Sequence, residues 1–121
     1  MDVRVDIESK FDKDIKKLSQ KENEIISKRI NYLINIIREG DNVSSHIRKL
    51  PNVIFPNGIS TSLHVFRVGM NLRILLTFEE DPLFDEFVLT LFRAVRKSDL
   101  ELVYKGLAQS LYQSFLHGEG N

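Results

Sequence analysis

Two short stretches of alternating side chains, joined by only three residues, constrain the fold of this chain more than any other feature. In LHVFRV and in LRILLTF, alternate residues fall on opposite sides of an extended backbone, and Leu72–Phe78 presents one continuous apolar side with Arg73 on the other. The intervening GMN is short enough for a tight turn. The pattern predicts an antiparallel meander of three strands, at about Ser62–Val68, Leu72–Phe78 and Phe87–Arg93.

Helical segments flank this meander on both sides. The opening VRVDI alternates like a half-buried strand, and apolar residues at helical spacing predict a short helix over residues 11–18. The sequence SQKE at Ser19–Glu22 matches a capping box, which begins a second amphipathic helix that ends at Gly40. A second match, SDLE at Ser98–Glu101, predicts the start of the last helix, which Gly118 closes.

The predicted order of elements is β-α-α-β-β-β-α. It indicates an α+β fold, in which an antiparallel sheet packs against a helical hairpin and a C-terminal helix. We expect residues 1–121 to form one domain, because 121 residues with 42% hydrophobic content suit a single core. We expect the helices on one face of the sheet, with the other face partly open. Residues 41–61, rich in Pro, Asn and Gly, are predicted as one long loop, and such loops are often functional.

Several classes of protein are excluded or disfavoured by composition. The chain has no cysteine, so it can form neither a disulfide framework nor a cysteine-based metal site. Its three histidines are scattered without the spacing of metal ligands, and we expect no metal and no small-molecule cofactor. No apolar stretch is long enough to span a membrane and the first residues do not resemble a secretory leader, so a cytoplasmic location without membrane contact is expected.

The net charge of zero conceals a segregated distribution of charge. Residues 42–78 contain four cations and no acid, whereas residues 79–86, EEDPLFDE, contain five acids and no cation. Three further cations lie in residues 93–97. A ligand responds to the local potential, so the neutral total does not exclude a site for an anion.

The cations of the meander are predicted to meet at one end of the sheet. Arg67 and Arg73 flank the first hairpin, and Arg93, Arg96 and Lys97 stand at the end of the third strand. In an antiparallel sheet that end lies beside the start of the second strand. Like charges brought together in this way destabilise a fold unless an anion completes them, which points to phosphate binding.

Several stretches of the sequence together resemble a known family. FDKDIKKL before a helical pair, LHVFRVGMNLRILLTF, FVLTLFRAVRKSD and LVY occur in the order and spacing of the RelE/ParE superfamily of toxins from type II toxin–antitoxin systems. The resemblance covers nearly the whole chain. It implies the RelE-like fold and a cognate antitoxin protein as partner.

In the nuclease branch of that superfamily, the toxin cuts messenger RNA on the ribosome and so inhibits translation. The group that attacks the phosphate is the RNA's own 2′-hydroxyl, so the endoribonuclease needs no metal. These toxins, called mRNA interferases, bind RNA as their substrate. Carried over residue by residue, the resemblance implies a catalytic set of Arg67, Arg73, Arg96, Lys97 and Tyr104, with Arg48, Lys49 and Arg93 as RNA-binding residues.

Other interpretations remain open. Near neutrality favours a ParE-like toxin that binds and inhibits DNA gyrase without being a nuclease, and a degenerate superfamily member acting only as a binding module is a third possibility. Tyr104 can simply pack its ring against the sheet, Arg93 can pair with an acid of residues 79–86, and Arg67 with Arg73 can protect a sheet edge from aggregation.

Overall fold

The computed structural model describes residues 2–50 and 63–118, which form an α+β fold around a five-stranded sheet. The strands are β1 (Asp2–Ile7), β2 (Ile47–Lys49), β3 (His64–Arg67), β4 (Leu72–Asp81) and β5 (Glu86–Arg96). The helices are α1 (Ser9–Lys16), α2 (Gln20–Arg38) and α3 (Leu100–Gly118), and short 3-10 turns cover Val43–Ser45 and Lys97–Asp99. The predicted α+β class is confirmed. No helix in the described part of the chain is both long and apolar enough to cross a bilayer.

The strands lie side by side in the order β1-β5-β4-β3-β2. The predicted meander of β3, β4 and β5 is confirmed, and these strands pair antiparallel. β1 pairs in parallel with the outer side of β5. The helical hairpin α1–α2 lies between β1 and the meander in the chain, and parallel pairing requires such a long connection. The sheet is therefore mixed, with β1 and β2 as its two edges.

The prediction of an uninterrupted loop over residues 41–61 is wrong at Ile47–Lys49. These three residues form β2, which pairs antiparallel with β3 and sets Ile47 opposite Phe66. The strand is too short for alternation to reveal it, and burial of Ile47 beside Phe66 stabilises it. Residues 51–61 and the predicted strand start at Ser62 lie outside the described residues.

Both faces of the sheet are covered, so the expectation of helices on one face only is wrong. α1 and α2 cover one face through Phe11, Ile26 and Leu33, which join the cluster that contains Phe66 and Leu89. The other face packs against α3, whose inward residues Tyr104 and Ala108 meet Val65, Leu75 and neighbouring apolar side chains. The apolar stripe of α3 requires this cover, because exposed it would leave a large apolar surface in water.

Of the two predicted capping boxes, the structure contains one. The Ser19 capping box is confirmed: Ser19 Oγ accepts the Glu22 N–H at 3.1 Å, and Glu22 Oε1 accepts the Ser19 N–H at 3.1 Å. Gly40, with φ of 74°, follows α2 in the left-handed region. The second predicted box is wrong, because Arg96 is already the last extended residue and Ser98 lies inside a 3-10 turn before α3 begins at Leu100.

Candidate functional site

A shallow cavity of about 400 Å³ lies where β2, β3 and β4 meet the start of α3. We call it the basic cavity, because its charged lining residues are all cations. Its lining consists of Arg48, Arg67, Arg73 and Lys97 together with Ser44, Ser45, His46, Ile47, Val65 and Leu100. Among the described residues that line it, none is acidic, so nothing in the wall offsets the positive charge.

The register of three neighbouring strands places the arginines of the basic cavity on one face. Arg67 of β3 stands directly opposite Arg73 of β4. Arg48 of β2 stands opposite Val65, two residues from Arg67 along β3, and so falls on the same face. Side chains directly opposite each other in a sheet have Cβ atoms about 5 Å apart, and diagonal neighbours are about 7–8 Å apart. The sheet itself therefore holds Arg48 and Arg73 on strands either side of Arg67, with all three side chains on one face.

Neutral carbonyl groups, not carboxylates, hold Arg73 and Arg67 in place. Arg73 Nη1 donates to the Gly69 carbonyl at 2.8 Å and to the Leu72 carbonyl at 2.9 Å, and Arg67 Nε donates to the same Gly69 carbonyl at 3.4 Å. These bonds fix the guanidiniums but leave both charges uncompensated. Two unit charges about 6 Å apart repel by roughly 1–3 kcal/mol at effective dielectric constants between water and a protein surface. A bound anion would remove this repulsion.

The electrostatics of the basic cavity are visible at Arg73. Partial burial lowers the pKa of Arg73, and the neighbouring charges of Arg67 and Arg48 lower it further. The guanidinium remains protonated at neutral pH, because arginine begins from a very high pKa. An anion bound beside Arg73 would offset the repulsion from these neighbouring charges.

The start of α3 completes the wall of the basic cavity. Leu100, the first residue of α3, and Lys97, in the preceding 3-10 turn, both line it. The Lys97 N–H donates to the Asn71 carbonyl at 2.9 Å, which ties this turn to the hairpin between β3 and β4. The N-terminus of a helix carries partial positive charge, so the orientation of α3 favours an anion in the cavity.

His46 is a site residue that the sequence analysis did not select. It is half-buried, lines the basic cavity and lies edge-on to the ring of Tyr32, with the ring centroids 5.5 Å apart. The Arg29 guanidinium in turn lies 4.9 Å from the centroid of the Tyr32 ring. Its position two residues before Arg48 is the sequence feature that could have identified it. That feature is weak, because the segment is predicted as a loop, in which the direction of a histidine side chain cannot be inferred. Histidine is the side chain that most often acts as a general acid or base.

Arg96 does not reach the basic cavity, so the predicted convergence is wrong for this residue. It stands opposite Leu72 on the face covered by α2, where it forms an ion pair with Glu22. The hydrogen bond from Arg96 is the largest cause that lowers the pKa of Glu22 to about 2, and the same bond raises the pKa of Arg96. A β-bulge explains the placement: Leu75 pairs with residue 93 and Leu76 with residue 91, so the extra residue between them reverses the alternation of β5.

Arg93 is also held away from the basic cavity. Its Nε and Nη2 donate to the Asp14 carboxylate at 2.8 and 3.0 Å, a bidentate pair that raises the pKa of Arg93. β1 ends opposite Leu91, and Asp14 Oδ2 replaces the missing strand by accepting the Ala94 N–H at 2.9 Å. Arg93 therefore stabilises the join between α1 and β5, and its partner is not an acid of residues 79–86.

The last two predicted residues also lie outside the lining of the basic cavity. Tyr104 is buried on the α3 side of the sheet, in the cluster that contains Leu63 and Leu75, with 8% of its surface exposed. Lys49 stands opposite His64 at the edge of the sheet and lines a different cavity. The structure thus brings together Arg48, Arg67, Arg73 and Lys97, and it places Lys49, Arg93, Arg96 and Tyr104 elsewhere.

Comparisons with solved structures bear on the fold. The chain is similar to YafQ from E. coli strain BL21(DE3), with a TM-score of 0.51 and 11% identity over 79% of this chain and 94% of that one. It is also similar to a chain of the archaeal RelE–RelB complex from Pyrococcus horikoshii OT3, with a TM-score of 0.48 and 15% identity over 80% of this chain and 97% of that one. No protein-family model and no curated protein matches the sequence. The RelE-like fold that the resemblance implied is confirmed.

Proposed function

We propose that this chain is a toxin of a type II toxin–antitoxin system, an endoribonuclease that cuts ribosome-bound messenger RNA and thereby inhibits translation. The observation that carries the proposal is the basic cavity on a RelE-like fold, in which three arginines and a lysine meet and none of the described lining residues is acidic. Fold alone does not determine function, so the chemistry of this cavity has to support the assignment.

The residues of the basic cavity suit cleavage by the RNA's own 2′-hydroxyl. The 2′-oxygen forms a bond to phosphorus and the bond to the 5′-oxygen breaks, which leaves a cyclic phosphate and a 5′-hydroxyl. Arg67 and Arg73 can each offer two N–H groups to the phosphate oxygens, and they stabilise the charge that builds up on them. His46 lines the same cavity and can accept the proton of the 2′-hydroxyl, and water in the open cavity can protonate the departing 5′-oxygen. Arg48 and Lys97 hold flanking phosphates, and the cations supply the positive charge that metal-dependent nucleases take from an ion.

The same proposal includes a cognate antitoxin that neutralises the toxin, and the ribosome and messenger RNA as the cellular targets. Its cytoplasmic setting follows from that target. An antitoxin that covered the basic cavity would block RNA binding directly. An antitoxin bound elsewhere would instead have to prevent the toxin from binding the ribosome. Footprinting of the toxin by the protein encoded beside it would separate these two modes of inhibition.

The proposal is tested with purified wild-type protein and single variants of the basic cavity. Arg73→Ala should lower the rate of messenger-RNA cleavage about a hundredfold, the effect of removing one group that stabilises transition-state charge. Arg4→Ala is the matched control, because Arg4 lies on β1, the opposite edge of the sheet, and its loss should leave the rate unchanged. His46→Ala should reduce cleavage strongly without weakening RNA binding. Equal rates for all four proteins would refute the proposed site.

RNA affinity gives a second, independent readout. A cavity that contacts phosphates through its four cations should bind single-stranded RNA with a log–log salt slope of about −3, and each cation removed should reduce that slope by roughly 0.7. A slope that Arg48→Ala and Arg73→Ala leave unchanged would place RNA on another surface.

One set of observations favours a second candidate, a ParE-like toxin that inhibits DNA gyrase. Tyr104 is buried and Arg96 is paired with Glu22, so two of the five catalytic residues implied by the resemblance do not line the cavity. A DNA supercoiling assay distinguishes the candidates. Inhibition of gyrase by a protein that leaves messages intact would support the second candidate and contradict the first.

A further inference from the structure

The turn between β4 and β5 presents two large apolar side chains to solvent. Leu83 is 88% exposed and Phe84 is 72% exposed, in a four-residue turn that extends past both strands. Within the turn, Asp81 Oδ1 accepts the Leu83 N–H at 3.1 Å, and Asp85 adopts φ of 51°. We call residues 81–86 the hairpin tip. Adjacent exposed Leu and Phe side chains commonly mark a contact surface.

Carboxylates surround this apolar pair. Residues 79–86 include five acids and no cation, and of these Glu86 alone forms an ion pair within the described residues, with Arg4 at 3.0 Å. The hairpin tip therefore combines a small apolar projection with a strongly negative rim. Its complement is a surface with an apolar recess and positively charged walls.

Such a surface exists on this chain at the β2 edge of the sheet. A second cavity, of about 470 Å³, adjoins the basic cavity and shares Ser44, Ile47 and Arg48 with it. We call it the apolar cavity, because its exposed surface is mainly apolar and Val43, Ile47 and Phe78 line it, together with Ser44, Arg48, Lys49 and His64. Arg48 and Lys49, neighbours on β2, both line this cavity, so two cations border its apolar residues.

We propose that the hairpin tip of one copy of this chain docks at the β2 edge of a second copy, with Leu83 and Phe84 in the apolar cavity and the acids of the tip against Arg48 and Lys49. The charge complementarity of the tip and this edge favours a second copy as the occupant. A copy cannot fill its own site in this way, since Phe78 in the wall of the apolar cavity and Asp81 lie on one continuous strand, about 10 Å apart, and the extended backbone carries the tip away from the cavity.

The docking stands on geometry and charge alone, but its consequence rests on the proposed function. A docked tip would cover Arg48 and part of the basic cavity, and its carboxylates would take the place of RNA phosphates. Self-association would then hold the toxin inactive at high concentration, and RNA would compete with it.

Sedimentation velocity of the full chain tests the docking. Wild type should associate at low salt, as a closed dimer or as a concentration-dependent series, and raising salt from about 50 to 500 mM should weaken association at least tenfold, because exposed charges are screened. The double variant Leu83→Ser, Phe84→Ser should sediment as a monomer. Leu102→Ser is the matched control, since Leu102 is 78% exposed on α3 and its loss should leave association unchanged.

Mixing gives the decisive arm of this experiment. The tip variant and the double variant Arg48→Ala, Lys49→Ala should each be monomeric alone, yet form a one-to-one complex together, because one intact tip and one intact edge remain. Monomeric wild type at about 0.5 mM, unimpaired association of the tip variant, or absence of the mixed complex would overturn the docking. None of these readouts depends on RNA cleavage, so failure of the proposed function would be seen separately.

Discussion

Asp14 should contribute more to stability than any other carboxylate on the described helices, and Asp14→Ala tests this. Asp14 has 10% of its side chain exposed and accepts three hydrogen bonds, two from Arg93 and one from the Ala94 N–H. The substitution leaves the buried Ala94 N–H without an acceptor, which costs about 1–3 kcal/mol. It also leaves the Arg93 side chain, 27% exposed, without its partner. Breaking a fully buried pair costs about 3–5 kcal/mol, and partial exposure reduces this figure. Together these losses predict a decrease of about 3 kcal/mol.

Urea unfolding followed by circular dichroism measures this loss. Asp14→Asn keeps an acceptor for Ala94 and removes only the charge, so its loss should be about 1–2 kcal/mol. Asp12→Ala is the control in the same helix, because Asp12 is an exposed first-turn acid whose removal should cost less than about 1 kcal/mol. If Asp14→Ala were no more destabilising than Asp12→Ala, Asp14 would not replace the missing strand beside β5.

Three further predictions concern single residues. Glu22→Gln should lower stability at neutral pH, because it removes the ion pair with Arg96. That ion pair holds the Glu22 pKa at about 2, and its stabilisation is lost as the pH falls through that value. In acid titrations, the difference in stability from wild type should therefore vanish between about pH 5 and pH 2. Tyr104→Phe should keep RNA cleavage within about threefold of wild type, since the buried ring still packs; a hundredfold loss would give the hydroxyl a chemical role. Gly40→Ala should cost about 1 kcal/mol in urea unfolding through its φ of 74°, although a Cβ there meets no atom within 4 Å; no loss would contradict a left-handed helix end.

Local signals in the sequence predicted most of the fold. The alternation around residues 63–78 and the pairing of Ser19 with Glu22 depend on neighbours along the chain. The hairpin and the capping box predicted from them are both confirmed. β2 could not be predicted in the same way. Its three residues have no pattern of their own, and they are extended because β3 offers Phe66 as a partner for Ile47.

The candidate site was harder to predict, because it depends on one extra residue in β5. Strict alternation continued from Leu91 would put Arg96 on the face of Arg67 and Arg73, and the bulge at Phe92 turns it to the α2 face instead. Partners far apart in sequence decide the rest, since Asp14 binds Arg93 from 79 residues away. Arg67, Arg73 and Lys97 were predicted correctly to converge, because register and strand ends bring them together, and Arg48 joins them through β2, which the sequence did not predict.

Cleavage of a ribosome-bound message that carries one 2′-deoxynucleotide tests the central claim most directly. Wild-type protein is first used to map the cut by primer extension, and the nucleotide on the 5′ side of that cut is then replaced by its 2′-deoxy analogue. Attack by the 2′-hydroxyl within the basic cavity predicts that the modified message survives while the unmodified message is cut to a cyclic phosphate and a 5′-hydroxyl. Equal cutting of both messages, or no cutting of either, would contradict the account.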